Sequence, residues 1–237
     1  STGNWLKLVN KKILEIKKRK KVPILVGGTG LYFNALVNGL VKIPNIPMKF
    51  RNKIRLMQKT HGQYKFYKKL LKIDPKVKDK INRNDSQRSI RAYEIKSYSK
   101  KSMYDWISQT KPSFKQQEFL KLYINFERKK LIERIEKRTI KMIKLGAVKE
   151  VKKFKTLKLS DHSSVKKIIG IQELGKFLEK KIKIEEAKKL ISIKTRQYAK
   201  RQATWARSKM TTWHRIDPKD FQFWTKKINF LSFLFLL

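Results

Sequence analysis

One short segment limits the fold of this chain more than any other. Val22 to Val26 is a continuous apolar run, which is typical of a strand buried in a parallel sheet. The run stops at Gly-Gly-Thr-Gly, residues 27–30, here called the glycine turn, and residues 31–40 then show helical spacing. Residues 4–19 show the same helical spacing. The order helix, strand, glycine turn, helix predicts an α/β fold with a doubly wound parallel sheet.

Residues 44–113 interrupt this α/β pattern. Between Pro47 and Pro112 no clear strand pattern occurs. Helical spacing instead covers 48–60, 63–72, 86–99 and 102–109. We therefore predict an all-helical insertion domain at 44–113, and an α/β core formed by 1–43 and 114–237.

The sequence after this insertion returns to the sheet and then to long helices. Phe119 to Phe126 is rich in β-forming residues and predicts a strand, and helices are predicted at 128–156 and at about 184–208. The apolar end, Ile228 to Leu237, is shorter than the ~20 residues that span a bilayer. It predicts a core strand or an irregular tail, not a membrane anchor.

Composition excludes several kinds of site. The chain has no Cys, which rules out a disulfide scaffold, a thiolate metal site and a Cys nucleophile, and its 3 His are too scattered to predict a metal site. The formal net charge of +43 indicates a polyanionic partner such as nucleic acid. However, Lys outnumbers Arg by 48 to 13 and the charge is spread nearly evenly, so genomic nucleotide bias is an alternative explanation and the bulk charge supports nucleic acid only weakly. Arginine is more informative, because its planar fork suits phosphate.

The glycine turn is the first candidate binding site. It places backbone N–H groups and the Thr29 hydroxyl at a helix N-terminus, where an anion binds favourably. It is not a Walker A loop, because no Gly-Lys-Ser/Thr follows. A tight connection that binds nothing has the same sequence features, and the residues alone leave both interpretations open.

Arg138 is the second candidate. Leu131, Ile135, Met142 and Leu145 lie within about 80° of one another on a helix, and Arg138 falls in the middle of their stripe. A cation directed into the core needs an acidic partner or an anionic ligand. The alternatives are a structural ion pair and a side chain that snorkels to the helix edge.

Two further segments combine arginine with amides or aromatic rings. In 84–91, Asp85 or Ser86 can cap a helix whose first turns carry glutamine and arginine, which read bases and bind phosphate. In 195–207, cations alternate with Tyr198 and Trp205, a combination that suits RNA. For both segments the alternative is a solvated, charged helix face.

Five segments in order resemble the tRNA dimethylallyltransferases, which form the tRNA isopentenyltransferase or IPP transferase family. They are 23–36 (PILVGGTGLYFNAL), 84–94 (NDSQRSIRAYE), 128–151 (RKKLIERIEKRTIKMIKLGAVKEV), 168–174 (IIGIQEL) and 195–207 (TRQYAKRQATWAR). The resemblance extends to about residue 216. It implies a P-loop NTPase-like, nucleotide-binding parallel sheet core, and an insertion domain that binds the anticodon stem-loop of tRNA.

The resemblance also implies a reaction. The family transfers the dimethylallyl group of dimethylallyl diphosphate to the exocyclic amine of the adenine 3′ to the anticodon, with the base flipped out of its loop. The leaving group is a Mg²⁺-bound diphosphate, whose developing charge the site neutralises. We therefore expect a cytoplasmic, monomeric enzyme of tRNA modification, without a membrane segment.

Site residues follow from the same resemblance, position by position. Thr29 and Arg138 are expected to be catalytic. The diphosphate is expected to bind Gly27, Gly28, Thr29 and Arg138. The expected tRNA contacts are Arg51; Gln87, Arg88, Ser89, Ile90 and Arg91; Lys167, Ile168, Ile169, Gly170, Ile171 and Gln172; and Lys200, Arg201, Gln202, Ala203, Thr204, Trp205, Ala206 and Arg207.

The sequence departs from the family pattern in three places. The family's P-loop and the Asp-Ser segment that supplies its general base have no match, and Gln172 stands where many relatives carry a basic residue. The expectation is an N-terminally truncated, catalytically inactive chain, with the Mg²⁺ ligands in the missing part and an incomplete sheet. The alternatives are a non-catalytic tRNA-binding remnant and a generic basic RNA-binding protein.

Overall fold

The structure is a computed structural model, and it describes residues 1–157, 159, 163–220 and 223. The chain divides into two compact units. The first unit contains Ser1–Glu15 and Leu31–Phe119, and the second contains Ile16–Gly30 and the described residues from Leu120 onward. The domain boundaries at 44 and 113 stay a prediction. The apolar end at 228–237 lies outside the described residues.

Five helices contribute to the first unit. They are α1 (Thr2–Lys18), α2 (Gly30–Asn38), α3 (Met48–Ile73), α4 (Ser86–Ser99) and α5 (Met103–Ser108). The predicted helices of this region are therefore confirmed, except that those at 48–60 and 63–72 join into α3. Gly62, with a φ of 73°, kinks α3 where the two predicted helices meet. Trp5 of α1 stacks on Tyr32 of α2, with ring centroids 4.6 Å apart.

The core of the first unit lies between α3 and α4. Its buried cluster consists of Leu70, Val77, Ile81 and Ala92. Asp85 caps α4 by accepting a 3.0 Å hydrogen bond from the Arg88 backbone N–H, as the sequence allowed. At α5 the cap is Ser102, whose hydroxyl also donates to the buried Asp74 carboxylate at 2.8 Å. These bonds fix the starts of both helices.

The second unit combines a small parallel sheet with a helical bundle. Its further elements are β1 (Leu122–Ile124), α6 (Arg128–Lys144), α7 (Ala147–Lys155), α8 (Ile171–Leu178), α9 (Ile184–Lys209) and β2 (His214–Ile216). The strands pair in parallel, with Tyr123 opposite Arg215. Gly146, with a φ of 106°, divides the predicted helix 128–156 into α6 and α7. Both α6 and α8 pack on α9 around Leu174 and Ile191.

The predicted strand at Val22 to Val26 is wrong. The segment has no regular structure, and Ile24 and Val26 are 74% and 91% exposed. A strand of a parallel sheet is stabilised by pairing on its edges. Within the described residues, β1 and β2 pair only with each other, so no neighbouring strand organises the apolar run.

Of the described helices, none has the length and apolar character needed to cross a bilayer.

Candidate functional site

The glycine turn is braced by α9. The Gln202 side-chain amide donates a 2.7 Å hydrogen bond to the Gly28 carbonyl oxygen. A Cβ on Gly28 would collide with the Gln202 amide, and one on Gly30 would collide with the Trp205 indole. Packing of the rigid Trp205 ring therefore explains why position 30 needs glycine, whereas at position 28 the flexible Gln202 amide can move aside. It also leaves Thr29, directly before α2, exposed to solvent.

This packing changes the interpretation of two predicted tRNA contacts. Gln202 and Trp205 are half-buried, and both use their polar or aromatic groups against the glycine turn. They act as supports of the turn in this structure. Ala206, the next residue, is 4% exposed and lies on the buried face of α9.

Arg138 does not point into the core, so the inward placement predicted from periodicity is wrong. The buried side chains of α6 are Ile135 and Thr139. Thr139 donates to the Ile135 carbonyl at 2.9 Å and accepts from the Ser192 hydroxyl of α9 at 3.3 Å. The contact with α9 thus centres on Thr139, and Leu145, which seemed part of the stripe, is 74% exposed.

The exposed Arg138 guanidinium is available to a ligand. Among the described residues it has no hydrogen bond and no ion pair. Its neighbours differ, because Arg134 lies over the Phe126 ring at 4.8 Å and Glu136 pairs with Arg196 at 3.8 Å. The side chain is therefore a free cation on the surface of α6.

The first turn of α4 presents part of the predicted 87–91 segment. Gln87 and Arg88 are exposed, and the Arg88 guanidinium also bonds Asp85 at 3.0 Å. Ser89 is fully buried, where its hydroxyl donates to the Asp85 carbonyl at 2.7 Å and accepts from the Gln63 amide at 3.2 Å. Ser89 therefore supports the segment and does not reach its surface.

Arg51 and Arg91 meet at a residue that the sequence analysis did not single out. Arg51 Nε and Arg91 NH1 each lie 3.3 Å from Oε2 of Glu94. The Glu94 side chain is 1% exposed, whereas both arginines keep about a third of their surface in solvent, 32% and 39%. Two predicted tRNA contacts thus share one buried carboxylate.

The segment 167–172 is anchored by another buried carboxylate. Glu173 accepts a 2.7 Å hydrogen bond from the Gly170 N–H and forms an ion pair with Lys194 of α9. Burial acts to raise the pKa of Glu173, but hydrogen bonds from Lys194 and the backbone outweigh it, so the pKa lies below its ordinary 4.5. The anchor leaves Lys167 and Gln172 exposed.

The exposed side of α9 carries cations beside an aromatic ring. The Arg201 guanidinium lies 5.8 Å from the centre of the Tyr198 ring, which is 43% exposed. Tyr198, not Trp205, is therefore the aromatic partner of Arg201. Also exposed along this stretch are Lys200, Thr204 and Arg207.

Comparison with known proteins identifies the family of this chain. The family model described as IPP transferase matches residues 1–209. This chain belongs to the IPP transferase family. It is 61% identical to the tRNA dimethylallyltransferase of Pelagibacter ubique (strain HTCC1062), over 97% of this chain and 73% of that protein. It is 39% identical to the tRNA dimethylallyltransferase of Rickettsia massiliae (strain Mtu5), over 89% of this chain and 58% of that protein.

Solved structures of related enzymes share the fold of this IPP transferase. The full-length tRNA isopentenylpyrophosphate transferase of Bacillus halodurans superposes with a TM-score of 0.61 at 30% identity, over 98% of this chain and 73% of that one. A eukaryotic dimethylallyltransferase acting on tRNA superposes with a TM-score of 0.76 at 25% identity, over 94% and 58%. The family resemblance seen in the sequence is thereby confirmed, together with a helix-rich fold containing a small parallel sheet.

Sequence reasoning missed the supporting residues of this IPP transferase. It did not single out Glu94 or Glu173, and it assigned Gln202 to tRNA and not to the turn. Two signals were present. Glu94 follows Arg91 by three positions on a helix, and Glu173 follows Gly170 at the spacing of a capping box.

Proposed function

We propose that this protein transfers the dimethylallyl group of dimethylallyl diphosphate to the exocyclic amine of the adenine 3′ to the anticodon of tRNA. The observation that carries the proposal is the 61% identity, over 97% of the chain, to a tRNA dimethylallyltransferase. In the reaction the amine nitrogen bonds the first carbon of the dimethylallyl group, and the carbon–oxygen bond to diphosphate breaks. The electron pair leaves with the diphosphate, and the amine releases one proton, for which no described residue is assigned as acceptor.

The free guanidinium of Arg138 supports a role in holding the diphosphate. It is exposed and lacks a protein partner in the described part of the chain, and arginine binds phosphate oxygens through a planar fork. Charge on the leaving diphosphate grows in the transition state, so a cation there lowers the barrier. Thr29, exposed on the braced glycine turn, is proposed to line the channel that receives the flipped adenine.

The tRNA contacts are proposed for side chains that reach the surface. In the first unit these are Arg51, Gln87, Arg88 and Arg91. In the second unit they are Lys167, Ile168, Gln172, Lys200, Arg201, Thr204 and Arg207. The buried Ser89, Gly170 and Ala206 are proposed to support these segments.

The described residues offer no metal site built by protein side chains alone. They contain no group of three or more His, Cys, Asp or Glu side chains placed to hold a metal ion. Mg²⁺ prefers oxygen ligands such as carboxylates, together with substrate phosphates.

The test is an assay of this chain with anticodon stem-loop RNA and dimethylallyl diphosphate. Nucleoside mass spectrometry should detect isopentenyladenosine, and a matched stem-loop with guanosine at the target position should give none. Detected product would also prove the expectation of an inactive chain wrong. Adenine-dependent binding without product would contradict transfer and support the non-catalytic tRNA-binding alternative. Equal binding of both RNAs would support the generic RNA-binding alternative.

A further inference from the structure

Glu94 is surrounded by more positive charge than a buried carboxylate needs. Besides Arg51 and Arg91 on Oε2, Arg55 of α3 places its Nε 3.7 Å from Oε1. Three guanidinium groups and one carboxylate give the cluster a net charge of about +2. A single arginine would already pair the carboxylate, so the surplus needs another explanation.

The cluster is also incompletely bonded inside. Oε1 of Glu94 and Nε of Arg51 are both buried, and neither has a hydrogen bond. Buried polar groups are normally satisfied, and a buried ion pair is stabilising only when its geometry is good. The arrangement is therefore poor as a purely structural ion pair.

The outer surfaces of the three arginines remain open. Their side chains are 32% (Arg51), 49% (Arg55) and 39% (Arg91) exposed, whereas Glu94 is 1% exposed. Each guanidinium has five N–H donors in a fixed plane, and its closest approach to Glu94 uses one nitrogen. The remaining donors can bind an external anion, and such an anion would offset the repulsion among the three cations.

We propose that Glu94 is a positioning residue that holds Arg51, Arg55 and Arg91 as an arginine clamp for backbone phosphates of the tRNA. Arg55 is the new contact, because neither the motifs nor the family resemblance assigned it. The inference rests on the proposed function, which supplies the polyanion. RNA phosphate fits better than a carboxylate-bearing partner, because exposed Gln87 and Arg88 on the same α4 are side chains suited to RNA.

Arg55→Ala tests the contact, with Lys53→Ala as the matched control. Both variants remove one exposed positive charge from α3, but Lys53 lies on the other side of the helix. Binding of an adenine-containing anticodon stem-loop should weaken about tenfold in Arg55→Ala. The slope of log affinity against log salt should become shallower by about one. Lys53→Ala should change the affinity much less, and equal effects of the two variants would overturn the contact.

Glu94→Gln tests the positioning role against simple electrostatics. It makes the protein more positive by one charge, which alone would strengthen RNA binding. The clamp predicts the opposite, about tenfold weaker binding, with partial recovery in Glu94→Asp. Unchanged or tighter binding would overturn the role. Thermal unfolding monitors whether each variant is folded. If Glu94→Gln unfolds, Arg55→Lys is measured in its place. This variant keeps the positive charge but loses the planar guanidinium, so its RNA affinity should still fall.

The results separate this inference from the proposed function. If the chain forms isopentenyladenosine and Arg55→Ala behaves like Lys53→Ala, the clamp fails and the function stands. If Arg55→Ala lowers the salt slope but binding is equal for adenine and guanine stem-loops, the clamp stands and the proposed function fails.

Discussion

The glycine turn and the arginine clamp both join residues that are far apart in the sequence, but different forces hold them. At the turn, the Gln202 amide bonds the Gly28 carbonyl, and the Trp205 ring fills the space where a side chain at position 30 would stand. At the clamp, three cations gather around the Glu94 carboxylate and leave polar atoms without hydrogen bonds. The turn is fixed by shape, and the clamp is arranged by charge.

The two regions should therefore respond differently to ionic strength. Steric packing is nearly independent of ionic strength, whereas interactions between exposed charges are screened by salt. A rigid turn suits a position beside reacting atoms, where small displacements are costly. A charged clamp suits the backbone of a large RNA, because phosphate contacts attract the RNA and set its register without reading its sequence.

The largest effect is expected at Arg138 in the second unit, where a single charge, and not packing, is proposed to act on the diphosphate. In a full-length enzyme that carries this segment and is active, Arg138→Ala should lower turnover about 10²–10³-fold, because the free cation is proposed to stabilise the leaving diphosphate. Affinity for dimethylallyl diphosphate should fall in calorimetry, while tRNA affinity stays nearly intact. Lys137→Ala, the adjacent exposed cation, is the control. Loss of tRNA binding with normal turnover at saturation would contradict the role.

A second test concerns shape at the turn. Gly30→Ala should lower the free energy of unfolding by about 1–3 kcal/mol, because the added methyl collides with the Trp205 ring. Urea unfolding should give the same loss at low and high salt. Combining the change with Trp205→Ala should cost less than the sum of the single changes. A strongly salt-dependent loss would break the distinction between the two regions.

A third test uses pH at the anchor of segment 167–172. The pKa of Glu173 is lowered in the folded protein, so its ionised form stabilises the fold above pH 4.5 and this contribution is lost as the pH falls below that value. Glu173→Gln should cost about 1–2 kcal/mol at pH 7. Its melting temperature should then fall less steeply with acid than that of the parent.

The control for this pH test is a carboxylate on the surface. Hydrogen bonds from Lys155 and Lys181 lower the pKa of Glu179 to about 2, but its side chain is 42% exposed. Glu179→Gln should therefore change the melting temperature much less at pH 7. An equal effect of the two substitutions would contradict the anchoring role of Glu173.

The smallest effect is expected at Gly146, which differs from Gly30 in having backbone strain but no close neighbour. Its φ of 106° disfavours any other residue, yet no atom lies within 4 Å of an added Cβ. Gly146→Ala should cost about 1 kcal/mol from backbone strain alone. No loss at Gly30, which lies in helix α2 and carries no such backbone strain, would show that packing against Trp205 adds nothing.

The sequence predicted local features well. Helices α1 to α5 follow from apolar spacing and from caps such as Asp85, because these signals lie within a few residues. The five ordered segments identified the family, since their order and spacing together are far more specific than any one motif. Both results depend on short stretches of sequence.

The errors arose where distant parts of the chain decide the outcome. The strand expected at 22–26 failed because a strand exists only with partners. The apolar stripe predicted that Arg138 points inward. This was wrong because contact with α9, through Ser192 and Thr139, decides which face of α6 is buried. Glu94 and Glu173 escaped notice because the burial of an acid cannot be seen without the fold.

The parallel pairing of β1 with β2 has a consequence for folding order. The two strands are separated by roughly 90 residues that include α6 to α9. Closing so long a loop costs entropy before any strand bond forms, so the intervening helices must first compact. We expect the sheet to form last in folding and to open first on unfolding, with its amide hydrogens exchanging before those of α9.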